Sequence, residues 1–172
     1  METITINIPQ SSVYEEVAKA TDYMGSKLLS ADDPGARDRI LITDDDLAEL
    51  GRFWDEAAMA CNEDFKPMLR GWSKTVRQKP GGIASNDKIP PESVVMAPGH
   101  SMTLEVSKSY DQGLTSSVQT TLRSYFISSI IGQWFKFVNR EGASDYFEQA
   151  AEMLATAERM LYSRLRPEVP TD

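Results

Sequence analysis

The chain has 172 residues, 41% hydrophobic and 26% charged, with 26 acids against 18 bases and a net charge of −8. That length suits one domain able to bury a core without disulfides or metals. No apolar run approaches the ~18 residues of a membrane span, and the acidic balance argues against nonspecific nucleic-acid binding by the whole chain. Cys61 is the only cysteine, which excludes disulfides within the chain, and Met1 to Ile4 lack the basic start and apolar run of a secretory signal, so a reducing cytoplasmic origin is expected.

Residues 3–8 alternate strictly and place Ile4, Ile6 and Ile8 on one face of a strand that Pro9 ends. Ser12 and Glu15 have capping-box spacing, and Val13, Val17, Ala20, Met24 and Leu28 then recur at helical spacing, predicting a first helix over about 12–29. Residues 30–39, with Asp32, Asp33, Pro34 and Gly35, read as a loop. Thr43 and Asp46 repeat the capping pattern. Behind them Leu47, Leu50, Trp54, Ala57, Cys61, Phe65, Met68 and Trp72 form one long apolar seam, a helix that Pro67 kinks or splits.

Residues 78–92, rich in Gly, Pro and Asn, are predicted to be a flexible loop. Residues 93–107 read as a β-hairpin, with strands at Val94–Met96 and Met102–Val106 joined through Pro98 and Gly99, and residues 3–8 pairing with it or with a neighbouring chain. Leu114, Val118, Leu122, Tyr125, Ile130, Trp134 and Phe137 mark a long helix over about 113–139 whose apolar part is a buried core helix. Glu141 and Gly142 are expected to break it. Ser144 and Asp145 then cap a last helix with its seam at Phe147, Ala150, Leu154, Ala157 and Leu161, ending near Arg166 and Pro167 before a tail at 167–172. The fold class that follows is mostly α: a single-domain bundle of about four to five helices with a small antiparallel hairpin or sheet.

Charge is segregated along this chain. Residues 1–64 hold 15 acids and 5 bases, net −10, and residues 65–172 hold 11 acids and 13 bases, net +2. Helix capping and the helix dipole account for much of the acidic start at Asp44, Asp45 and Asp46. The bases Lys66, Arg70, Lys74 and Arg77 have no such local cause, and at helical spacing they predict a basic stripe that docks an acidic protein surface, with local DNA contact as a second use.

Candidate chemistry is sparse. His100, the only histidine, falls beside Pro98 and Gly99, where an exposed turn residue is expected. Pairing it with Cys61 as base and nucleophile is opposed by the place of Cys61 on an apolar helix seam. The acidic triplet lacks a second acidic cluster for a metal, and Gly81 and Gly82 belong to no phosphate-binding pattern, so neither catalytic residues nor cofactors are expected.

The strand, proline and helix opening from Ile4 through Pro9 to Lys19, the segment Tyr23–Lys27, Asp44–Leu47 with Phe53 and Trp54, and Trp134 and Phe135 with Arg164–Pro167 carry a resemblance that spans most of the chain. Together they resemble small structural proteins of tailed bacteriophages and prophages of gut Bacteroidales, similar to head-tail connector or neck components. The resemblance implies a mostly helical, non-enzymatic subunit that forms a homo-oligomeric ring between portal and tail, contacts portal or tail proteins, and resides in the virion after assembly in the bacterial host cytoplasm. Two other readings stay open from the residues: a cytoplasmic regulatory or adaptor module that binds an acidic protein through the basic stripe, and a cysteine-dependent enzyme built on Cys61.

Overall fold

Alternation in the first strand is answered across a sheet. The computed structural model describes residues 1–28, 34–75, 98–138 and 140–164. Strand β1 (Glu2–Pro9) pairs antiparallel with β3 (Gly99–Val106), and β3 pairs antiparallel with β2 (Leu69–Thr75), giving the order β1-β3-β2. Ile4, Ile6 and Ile8 stand opposite Leu104, Met102 and His100, and all six face the core. Each inward isoleucine contributes about 1.5–3 kcal/mol by leaving water. Gly99 is required where β3 begins, because a Cβ there would lie 2.6 Å from the carbonyl oxygen of Ile8.

The chain turns from Pro9 directly into helix α1 (Gln10–Leu28), so Ser12 lies inside the helix rather than capping it; its hydroxyl donates to the Pro9 carbonyl at 3.0 Å. Glu15, expected to complete that cap, instead meets Lys19 at 2.7 Å. Within the expected 30–39 loop, Ala36–Ile40 form a short helix, α2, because Ala36 and Ile40 are buried. The capping pattern at Thr43 does form: the Asp46 carboxylate accepts from the Thr43 amide at 2.8 Å across a 3₁₀ turn, Asp44–Asp46. Helix α3 (Leu47–Asp64) follows and buries Leu50, Phe53, Trp54, Ala57, Ala58 and Cys61.

Helix α3 ends three residues before Pro67, and the expected continuation through Trp72 is corrected: Phe65–Met68 turn, and Leu69–Thr75 are strand β2. Proline offers no amide to a helix, while β3 offers a backbone edge that pairs with the segment along its length. Glu105 donates its amide to the Met68 carbonyl at 2.7 Å where that pairing begins. β3 is therefore the centre of a sheet, and residues 3–8 pair within the chain. The expected strand at 94–96, the 78–92 loop and the 167–172 tail lie outside the described residues.

Helix α4 (Thr115–Val138) is buried on more than one side, since Ser128 to Gly132 are all buried, which is the pattern of a central helix. It packs against α1, α3, β1 and α5 (Arg140–Leu161). Polar ties lock its position: Tyr125 donates its hydroxyl to the Ala57 carbonyl at 2.9 Å, Trp134 its indole N–H to the Ile40 carbonyl at 2.8 Å, and Arg123 its guanidinium to the Ser12 carbonyl at 3.0 Å. The break expected at Glu141 and Gly142, and the cap at Ser144 and Asp145, fall inside α5; Ala143, Ala150 and Ala157 recur every seven residues and let α5 lie close on α4. α5 ends at Leu161, short of the expected Arg166. The fold is thus mostly α with a small three-stranded antiparallel sheet. Among the described residues no helix is long and apolar enough to cross a membrane.

Candidate functional site

The four bases expected to share a helical face do not share one. Lys66 lies in the turn after α3, and its ammonium meets Glu63 at 2.9 Å. Arg70 lies in β2 beside a register break and donates Nε to Glu105 at 2.6 Å, a bond that holds the Glu105 carboxyl below its ordinary range. Lys74 stands opposite His100 in the β2–β3 register, and Arg77 lies outside the described residues. Two of the four charges are therefore already met within the chain.

His100 is also placed differently from expectation. It is the second residue of β3 rather than an exposed turn residue, only 2% exposed, because the inward alternation of Met102, Leu104 and Val106 extends back to it. Its ring lies 5.8 Å from that of Phe126 and 6.1 Å from that of Trp72. Nε2 is 3.1 Å from Asn62 Oδ1; a carbonyl oxygen only accepts, so this bond places the proton on Nε2. Burial lowers the pKa of His100 and raises that of the Cys61 thiol, favouring the neutral form of each. His100 thus bonds to Asn62, the residue beside Cys61, and an activated nucleophile and base are not assembled from this pair.

What β2 and α3 do bring together is an apolar cleft of about 230 Å³, lined by Trp54, Asp55, Met59, Asn62, Trp72 and His100 among others. Trp54 and His100 form its buried wall. Met59 is 70% exposed and Trp72 57% exposed, although both are large and apolar. Met59 lies off the apolar seam of α3, a signal that the spacing already contained; Trp72 was assigned to that seam, and its exposure follows from its place in an outer strand.

A second cleft, of about 610 Å³, opens just before β2. Met68 and Tyr162 supply its apolar surface over buried Val106 and Leu161, and Lys108 and Arg164 its charge. Both cations are exposed and have no ion pair with a described residue, whereas Glu105 on the same wall is held by Arg70. Among the described residues no group of three or more His, Cys, Asp or Glu side chains is arranged to hold a metal ion.

These surfaces can bury apolar side chains and orient a charged neighbour. Comparison with protein-family models, curated proteins and solved structures finds no match for this chain.

Proposed function

We propose that this chain is a structural subunit of a tailed-phage virion, a head-tail connector or head-completion protein that assembles as a ring between portal and tail and has no catalytic role. The observation that carries the assembly part is the cleft beside β2, where Trp72 and Met59 stay in water while the rest of the large apolar side chains around them, Trp54, Phe126 and Met102, are buried. Contiguous exposed apolar surface beside a well-packed core is the physical signature of a surface that another chain covers. The resemblance of the strand, helix and terminal segments to phage neck proteins supplies the class.

The same geometry weakens the adaptor reading, which rested on four free bases; Lys66 and Arg70 are engaged by Glu63 and Glu105. Native mass spectrometry of the protein alone, and with the portal and tail proteins encoded beside it, tests the proposal. A single closed oligomer, or a stable complex with a virion neighbour, is expected. A strict monomer under both conditions would overturn it.

A further inference from the structure

We infer that successive copies of this chain join head to tail, with the acidic start of α3 from one copy seated in the cationic cleft before β2 of the next. The inference rests on the ring reading and adds an oriented, charged contact to the apolar surface of Met59 and Trp72.

The receiving side is the 610 Å³ cleft. Its walls include Met68, Val106 and Leu161, its rim carries the 59% exposed Tyr162, and Lys108 and Arg164 bring two cations with no acid to answer them among the described residues. Its occupant should therefore offer two carboxylates close to an apolar side chain. Residues 44–47 of this same chain match that description. Asp46 turns back onto Thr43, but Asp44 and Asp45 are exposed with no described partner, and Leu47 immediately after them is 50% exposed.

Placement makes the match directional. The acidic segment precedes α3, and the cleft is lined by Pro67 and Met68 just after α3 ends, so 18 helical residues separate knob from hole. At ~1.5 Å per residue that is roughly 27 Å. A residue cluster that far from its complement cannot fill it in the same copy. Two different surfaces at opposite ends of one subunit make a heterologous contact, which closes into a ring when the rotation between copies permits. Exposed ion pairs add little affinity singly, so Leu47 against the accessible Met68 and Tyr162 would hold the contact and the charges would set its orientation.

Charge reversal at each side, Lys108→Glu with Arg164→Glu and separately Asp44→Lys with Asp45→Lys, tests the contact by native mass spectrometry, with circular dichroism melts to verify folding. All four positions are exposed. Each variant alone is expected to be monomeric where the wild type assembles, and an equimolar mixture to regain assembly with the two variants alternating. Assembly of either variant alone to the wild-type state, or a mixture that stays monomeric, would overturn the contact and leave the ring reading standing. A wild type that assembles only as open chains of unequal length, with the mixture regaining the same chains, would keep the contact and remove the ring. A wild type that stays monomeric by itself would overturn the contact, while its behaviour with portal and tail proteins would still decide the ring.

Discussion

The two strands that flank β3 differ in almost every respect. β1 runs eight residues in unbroken register, buries an isoleucine at every second position and turns at once into α1. β2 runs seven, its register slips between Leu69 and Gly71, and its aromatic residue Trp72 is more than half exposed although it stands opposite fully buried Met102. One flank is finished and the other is not. Both strands meet the same partner, so the difference lies in what covers the far side: β1 is packed under α4, whereas β2 lends Trp72 to the wall of the apolar cleft. β1 therefore belongs to the stability of the fold, and the β2 side is the surface proposed for docking.

The largest effect that would separate these roles is at Ile6. It is fully buried, and Ile6→Ala leaves a cavity in the sheet core that should cost about 2–5 kcal/mol by urea denaturation. A loss below about 1 kcal/mol would mean that β1 is not the structural flank.

An intermediate effect is expected from pH. Burial depresses the pKa of His100 in the folded chain, so the unfolded chain, with its histidine near the ordinary value of ~6.5, takes up the proton first as pH falls. Stability is then full above ~6.5 and declines as pH falls toward the depressed folded value. Denaturation midpoints measured from pH 8 to 5 should show this decline, and His100→Gln should remove the part of the slope that lies just below 6.5. An unchanged slope in that variant would show that His100 titrates alike in both states.

Much of β1 was legible because period-two alternation and a terminal proline are local facts. β2 was not, because Cys61, Phe65, Met68 and Trp72 continue the α3 seam at helical spacing, and Pro67 is as consistent with a kink as with an end. The choice was made by the backbone edge of β3, which lies some thirty residues away in sequence and leaves no mark on local spacing. His100 was misplaced for the opposite reason: Pro98 and Gly99 suggest a turn, yet the inward series Met102, Leu104 and Val106 already included its position. The glycine there answers the close approach of the Ile8 carbonyl rather than a hairpin tip. α5 starts earlier than Gly142 suggested because burial of Ala143 against α4 outweighs a glycine's ~1 kcal/mol helix penalty. The helical face expected to carry Lys66, Arg70 and Lys74 went with the helix itself, and the clefts, built from residues distant in sequence, were visible only once the sheet was formed.

The smallest effect on stability, and the largest on assembly, is expected on the open side of the sheet. Met59 and Trp72 are exposed, so Met59→Ser combined with Trp72→Ser should leave the thermal midpoint within a few degrees of wild type. Native mass spectrometry of that double variant beside the wild type is the most direct measurement of whether the β2 side is an assembly surface. The expected result is a wild type that forms a closed oligomer and a folded variant that stays monomeric or forms smaller species. A variant that assembles as the wild type does would contradict it.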